Sequence, residues 1–233
     1  MEFTKTLIKG KLVKRYKRFF ADIKVNKETI VAHCPNTGSM KGLLNINNEV
    51  WISKNEDPKR KLKYTLEIIK VKKNLVGVNT HFANKIVYHG LSNNLIKELN
   101  NNQNIKPEVF FNKKTRFDFL VKKNNQKIFV EVKNVTLFRE DKISEFPDAI
   151  TSRGSKHLKT LIDAIKKGYK SYIIFLVQIQ GMKYFKIAKD IDKEYYQNYL
   201  LAKKAGVKFL AYRCKIDPTK EIKIEKKLKI IDV

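Results

Sequence analysis

Up to about residue 80, apolar positions fall in short alternating or β-rich runs, roughly 16–25, 28–34, 49–53, 64–71 and 75–79, divided by Asn, Pro, Gly and Lys. Such runs predict the strands of a small all-β barrel. The pattern then changes. A helical period covers about 83–99, a hairpin or three-stranded meander about 107–134, and a second helix about 148–167, ended by Gly168. Ser171 to Gln178 is almost continuously apolar, as in a strand covered on both faces of a sheet. A helix near 192–205 and a strand near 207–213 follow. The second part is therefore α/β, and the change of pattern predicts two domains, 1–80 and 81–233, with no repeat or low-complexity linker between them.

One stretch of the second part specifies its own register. Thr115 to Lys133 folds about Asn124-Asn125, because Asn tolerates the positive φ of a two-residue hairpin turn. Pairing Lys123 with Gln126 sets Phe117 opposite Val132, Phe119 opposite Val130 and Val121 opposite Ile128, so one face is apolar and must be buried. The other face sets Asp118 directly opposite Glu131, with Lys133 further along the same side. Opposed Cβ atoms lie roughly 4.5–5.5 Å apart, and like charges at that spacing destabilise a sheet. A divalent cation, Mg2+ or Mn2+, would compensate, since Mg2+ takes one or two protein carboxylates and fills its other positions with water and phosphate. Such a metal polarises a phosphodiester and lowers the pKa of a bound water, while Lys133 orients that water or neutralises charge on the phosphate. The alternative is an exposed hairpin face with a local Glu–Lys pair. Asp118 and Glu131-Val132-Lys133, in the order helix, strand, hairpin, helix, strand, resemble the signature and core of the PD-(D/E)xK nucleases.

Composition adds a class of partner. The 233 residues hold 50 Lys and Arg against 23 Asp and Glu, a formal charge of +27, which favours phosphate-rich partners bound by salt-sensitive contacts. Only seven of the 50 are Arg, and abundant Lys, Asn and Ile are also what an AT-rich coding sequence gives, so charge alone names no function. Cys34 and Cys214 form no CxxC pair, which argues against a zinc site or a disulfide framework. There is no signal-peptide apolar core, and the longest apolar run, around Tyr172 to Val177, is far too short to cross a bilayer. A soluble, cytoplasmic protein with no membrane partner is expected.

Five separated stretches together resemble the sugar fermentation stimulation protein family. They are Arg15-Tyr-Lys-Arg-Phe-Phe-Ala-Asp22, His33-Cys-Pro-Asn-Thr-Gly-Ser-Met40, Arg116-Phe-Asp-Phe119, Glu131-Val-Lys-Asn-Val-Thr-Leu137 and Phe146-Pro-Asp-Ala-Ile-Thr-Ser-Arg-Gly-Ser-Lys-His-Leu158. The resemblance implies an N-terminal OB-like β-barrel and a C-terminal PD-(D/E)xK nuclease-like α/β domain with a central mixed sheet. It also implies DNA as partner and a link to the regulation of sugar metabolism. It carries the family's central triad onto Asp118, Glu131 and Lys133, and points to Asp148, Arg153, Lys156 and His157 beyond the hairpin.

Nuclease-like folds often add an acid from the helix before the sheet, and Glu98 in Leu95-Ile-Lys-Glu-Leu99 is nominated as that further metal ligand, with Glu108 second and a solvated helix residue as the alternative. On the second helix, Leu158, Leu161, Ile162 and Ile165 form one stripe, while Arg153, Lys156, His157 and Thr160 gather on a different face. Arg153 and Lys156 are read as phosphate contacts and His157 as a catalytic residue, whereas His33, His81 and His89 read as structural or surface groups. In the barrel, Arg15, Lys17 and Arg18 are expected to touch DNA while the neighbouring rings pack, with strand alternation setting Tyr16, Arg18 and Phe20 on one side. The Pro35-to-Met40 loop has the small residues that a close phosphate approach, or an ordinary tight turn, requires. Trp51, in a β-rich run between Val50 and Ile52, reads as a barrel core or partly buried residue rather than a base-stacking platform. Two functions stand side by side: a Mg2+- or Mn2+-dependent endonuclease, and a DNA-binding regulator of sugar-metabolism genes that keeps a nuclease scaffold without turnover. RNA stays open as a substrate class.

Overall fold

The computed structural model describes residues 1–231; 232 and 233, the end of the second expected domain, lie outside the described residues. The first sheet is made of β1 (Ile8–Tyr16), β2 (Phe20–Val25), β3 (Glu28–His33), β4 (Glu49–Lys54), β5 (Tyr64–Val71) and β6 (Asn74–Gly77). Its strands lie in the order β3-β2-β1-β4-β5-β6, and a parallel pairing of Ala32 with Tyr64 and His33 with Thr65 joins β3 to β5. That pairing closes five strands into an OB-like barrel and removes the open edges a flat sheet would leave. Leu12, Ile23, Ala32, Val50 and Leu66 fill the interior.

Two local features depart from the apolar pattern. β1 begins at Ile8 rather than near 16, because its Lys-rich sequence offers only Leu12 as a fully buried position. Residues 17–19 are a turn, with positive φ at Lys17 (46°) and Arg18 (62°), so the alternation expected through residues 16–20 does not exist. Tyr16 instead pairs with Phe20 across the hairpin, their rings stacked at 5.5 Å.

The rest of the chain supplies α1 (Phe82–Ser92), a single 3₁₀ turn at Lys97–Leu99, β7 (Asn104–Asn112), β8 (Thr115–Lys123), β9 (Gln126–Val135), β10 (Leu137–Glu140), β11 (Ile143–Phe146), α2 (Ser152–Lys166), β12 (Lys170–Val177), β13 (Tyr184–Ile187), α3 (Lys193–Lys204), β14 (Lys208–Asp217), β15 (Glu221–Lys227) and β16 (Lys229–Ile230). The main sheet runs β15-β14-β12-β9-β8-β7. It is mixed: β7 to β9 form an antiparallel meander, β9, β12 and β14 are parallel, and β15 returns antiparallel. A smaller sheet, β10-β11-β13-β16, lies apart from it in the strand pairing.

The apolar strand β12 explains the layers. Ile173, Phe175 and Val177 pack with Leu158 and Leu161 of α2 and Tyr195 and Tyr199 of α3, whereas Ile174 and Leu176 pack with Ile86 and Val87 of α1. Each face of the sheet is thus covered by helix. The α2–α3 cluster continues into the barrel, because Leu12, Ile23, Val50 and Leu66 belong to it.

The first two predicted helices are shorter than their apolar period suggests. The first, expected to reach residue 99, ends at Ser92, where the Asn93 backbone N–H and side-chain amide both return to the His89 carbonyl at 3.0 and 2.8 Å and Asn94 takes φ 56°. The second starts at Ser152 rather than 148, since Thr151 caps it by accepting the Gly154 N–H at 3.0 Å, and the cis Phe146–Pro147 bond precedes it. Asp192 caps α3 through the Tyr195 N–H at 2.9 Å and accepts the Thr151 N–H at 2.8 Å, tying the starts of the two helices together. Among the described residues no helix is long and apolar enough to cross a membrane.

Candidate active site

The β8–β9 hairpin turns at Asn124-Asn125 with φ of 48° and 60°, and it pairs Lys123 with Gln126, Val121 with Ile128 and Phe119 with Val130. The ladder stops there. Asp118 and Glu131 are not joined through the backbone; Asp118 Oδ2 instead accepts the Val132 N–H at 2.7 Å, so a carboxylate takes the place of a ladder carbonyl. Phe117 also leaves its expected face. It packs 5.2 Å from Phe129 in the α2–α3 cluster, while Phe119, Val121 and Val130 pack beneath α1. On the same row, Glu108 of β7, between the paired positions Pro107–Phe119 and Val109–Phe117, has φ 53°.

This row carries the ionisable groups. Asp118 Oδ1 accepts the side-chain amide of Asn84, from α1, at 2.8 Å. Burial, and then the charge of Glu131, push the Asp118 pKa up against these stabilising hydrogen bonds. Glu131 is 4% exposed. Its Oε1 accepts Lys133 Nζ at 2.7 Å and His157 Nδ1 of α2. Burial pushes the Glu131 pKa up, but Lys133 and His157 outweigh it and hold the group ionised below its ordinary value. The other oxygen, Oε2, is buried and has no hydrogen-bond partner, as are Ser155 Oγ of α2 and the Tyr195 hydroxyl of α3. Burial, and next the Glu131 charge, raise the Tyr195 pKa well above the usual phenol value.

A buried carboxylate oxygen without a donor fits a hard cation, and Asp118 with Glu131 supplies the two carboxylates that Mg2+ or Mn2+ commonly takes from protein. Among the described residues no three His, Cys, Asp or Glu side chains gather as a metal cage, so water and a ligand's own oxygens would complete the coordination. Glu98 is not part of this centre. It accepts the Tyr212 hydroxyl at 2.7 Å and pairs with Lys227, and its carbonyl receives Lys123 Nζ at 3.2 Å. Lys123 lies five residues from Asp118 on β8, roughly 16 Å along a strand, so the nomination of Glu98 as a metal ligand is corrected. The cause is the early end of α1. Glu108 is nearer, on the Asp118 row, but pairs with Arg116 at 2.9 Å.

The helix stripe is split by burial. His157 and Thr160 turn inward, and Arg153 and Lys156 are exposed. Arg15, expected to touch DNA, is instead a clamp: its Nη2 donates to the carbonyls of Arg18, Asn36 and Gly38 at 2.9, 2.7 and 3.1 Å. Lys17 and Arg18 stay exposed at the turn tip beside Phe19, which is 46% exposed. The 35–40 loop that Arg15 holds meets the second domain, where Ser39 Oγ donates to the Asp148 carbonyl at 2.9 Å. A Cβ at Gly38 would lie 2.4 Å from Asp148 Oδ2, so any larger residue there would push that carboxylate aside. Contacts therefore run from the Lys17–Arg18 turn through this loop to Asp148, ahead of α2. Trp51 is partly buried and packs against the core, with Lys9 Nζ 5.6 Å from its ring centre.

Sequence reasoning missed three groups. Asn84 was hidden in an amphipathic helix, and the Tyr195 hydroxyl in an apolar stripe. The third is Lys59-Arg-Lys-Leu-Lys63, between β4 and β5, whose four cations in five residues were a readable signal. Arg60 lies close enough to His33 to lower its pKa, after burial and together with His81, and His81 directly precedes α1, which carries Asn84.

Comparison with known proteins agrees with this architecture. The family model described as the sugar fermentation stimulation protein RE domain matches residues 81–220, and the SfsA N-terminal OB domain matches residues 13–78. The chain is 78% identical over 232 residues to the sugar fermentation stimulation protein homolog of Pelagibacter ubique (strain HTCC1062), covering 100% of both chains. It is 42% identical over 234 residues to the homolog of Marinomonas sp. (strain MWYL1), covering 99% of this chain and 90% of that one. Among solved structures, Pyrococcus furiosus SfsA in complex with Ca2+ superposes with a TM-score of 0.89 at 24% identity, over 100% of this chain and 98% of that chain.

Proposed function

The chain belongs to the sugar fermentation stimulation protein family, and on that basis we propose that it is a DNA-binding protein with a metal-dependent, nuclease-like site. The α/β domain is read as a PD-(D/E)xK fold whose substrate is a DNA phosphodiester. One observation carries the reading: Glu131 holds a buried, donor-free carboxylate oxygen, Oε2, beside a second, half-buried carboxylate, Asp118, with Lys133 Nζ 2.7 Å from Glu131 Oε1. The Pyrococcus furiosus relative is described in complex with Ca2+, a hard cation with the same taste for oxygen.

When bound, Mg2+ or Mn2+ supplies Lewis-acid polarisation of the phosphodiester. The protein's own groups do the rest. Asn84 and the Val132 N–H orient Asp118; Lys133 and His157 keep Glu131 ionised. Lys133 Nζ also brings a cation to the centre, where it attracts phosphate oxygens and offsets charge that builds on them. The exposed Lys17, Arg18, Arg153 and Lys156 and the Lys59–Lys63 loop hold the backbone of the nucleic acid.

A second reading has its own support. Glu131 Oε1 already meets the Lys133 ammonium and the His157 ring, contacts that hold the carboxylate without a metal, as a non-catalytic DNA-binding regulator of sugar-metabolism genes would need. Labelled duplex, single-stranded and branched DNA, incubated with Mg2+ or Mn2+, separates the two. Cutting that disappears in Asp118→Asn and Lys133→Ala supports hydrolysis at this centre. Binding without cutting in any of the three proteins leaves the regulator.

A further inference from the structure

We propose that the groove beside Asp118 is a subsite for an unpaired nucleobase that stacks on Tyr88, one nucleotide from the phosphate held at Asp118 and Glu131. The inference rests on the DNA reading above and says which form of DNA the site takes.

The groove, about 400 Å³ in volume, lies between α1 and the β7–β8 edge, with Lys85, Tyr88, Pro107, Glu108, Asp118 and Phe119 among its walls. Tyr88 is 46% exposed, and its ring centre lies 6.2 Å from that of Phe119, which is 2% exposed and backs it. An aromatic ring supported from behind and open in front is a stacking platform. Asp118 belongs to both the groove and the centre, so an occupant of one is adjacent to an occupant of the other.

The apolar walls suit the face of a base, and the charged rim suits its edge and the strand that carries it. Exposed Lys85 at the mouth attracts the strand's phosphates. Glu108 has a left-handed backbone and an exposed carboxylate; Oε2 pairs with Arg116 at 2.9 Å, and Oε1 accepts from the exocyclic amino group of cytosine, adenine or guanine. In an intact duplex those amino groups are largely paired and both base faces are covered, so only an unpaired or extruded base fits. The site therefore prefers single-stranded, frayed or branched DNA to uninterrupted duplex, and stacking makes that preference tolerant of sequence.

The test compares the native full-length protein with Tyr88→Ala and Tyr88→Phe, without added divalent metal. The probes are a single-stranded oligonucleotide carrying 2-aminopurine and the fully paired duplex of the same sequence, followed by anisotropy and by 2-aminopurine fluorescence. Tyr88→Ala is expected to weaken single-strand binding by about tenfold and to abolish the fluorescence quench. Tyr88→Phe keeps both, and duplex affinity changes by less than about twofold. Unchanged single-strand affinity in Tyr88→Ala overturns the subsite, as does an equal loss for single strand and duplex. If the native protein binds neither form, the DNA reading falls with it, whereas native binding that ignores Tyr88 removes the subsite alone.

Discussion

Replacing Asp118 by Asn separates the two parts this side chain plays. Burial and the Glu131 charge raise its pKa, so the ionised form is held at a cost to the fold. Asn removes the charge and keeps an oxygen for the Val132 N–H, while the Asn84 amide turns over to offer its own oxygen to the new NH2. The Asn variant should therefore be more stable than the native protein, by about 0.5–2 kcal/mol, the usual range when functional strain is relieved. In a chain of this size that is a rise of about 2–4 °C in Tm per kcal/mol. Asp118→Ala also removes the charge, but strands the Val132 N–H and the Asn84 amide at about 1–3 kcal/mol each, so it should fall below the native protein. The pH dependence has a definite sign. A carboxyl whose folded pKa exceeds its unfolded value contributes stability that is fully present below the unfolded value of 3.8 and is lost as pH rises through the folded one. The advantage of Asn is thus absent in acid and opens as pH rises. Urea unfolding with chelator, from about pH 4 to about pH 8, measures this directly. Added Mg2+ should then shift the native curve and leave the Asn curve in place. Equal destabilisation of the Asn and Ala variants at neutral pH would refute the argument, because Asp118 would then be only a hydrogen-bond acceptor.

Arg15→Ala should lower unfolding stability by about 1–3 kcal/mol through the carbonyls it leaves unpaired, with little change in DNA affinity, as urea melts and a binding titration would record. Replacing Arg153 and Lys156 together by Gln should weaken DNA binding at low salt and flatten the log–log salt slope by about 2; an unchanged slope excludes both from the phosphate path. Glu98→Gln should lower Tm by loosening the Lys227 and Tyr212 contacts yet leave any metal-dependent cutting at the native rate, and a lost rate would return Glu98 to the site.

The β8–β9 register was legible because an Asn pair and six apolar positions leave a single alignment, and the barrel because its strands are short and bounded by turn residues. The row that matters most was only half legible. Alternation set Asp118, Glu131 and Lys133 on one side, but a period-two argument assumes regular backbone, and here the β8–β9 ladder ends at Phe119–Val130 and Phe117 joins the opposite cluster. Glu98 was misplaced for a related reason: an amphipathic period continued past Ser92 while Asn93 and Asn94 turned the chain. The role of Arg15 was hidden for another, since a guanidinium that satisfies loop carbonyls and one that meets phosphate are written with the same residue. Tertiary contacts decide between them, and those are not written in local spacing.

The pairing of residues 1–3 carries a consequence for folding. Glu2 bridges Glu221, the Phe3 N–H donates to the Lys220 carbonyl at 2.9 Å and the Ile222 N–H to that of Met1 at 2.9 Å, so a segment that precedes the barrel in sequence is held by a strand of the α/β domain. Contacts so distant along the chain are rewarded only once the elements between them have assembled. The segment therefore reports on the α/β domain and not on the barrel whose strands follow it: a probe placed there follows the edge of the second domain.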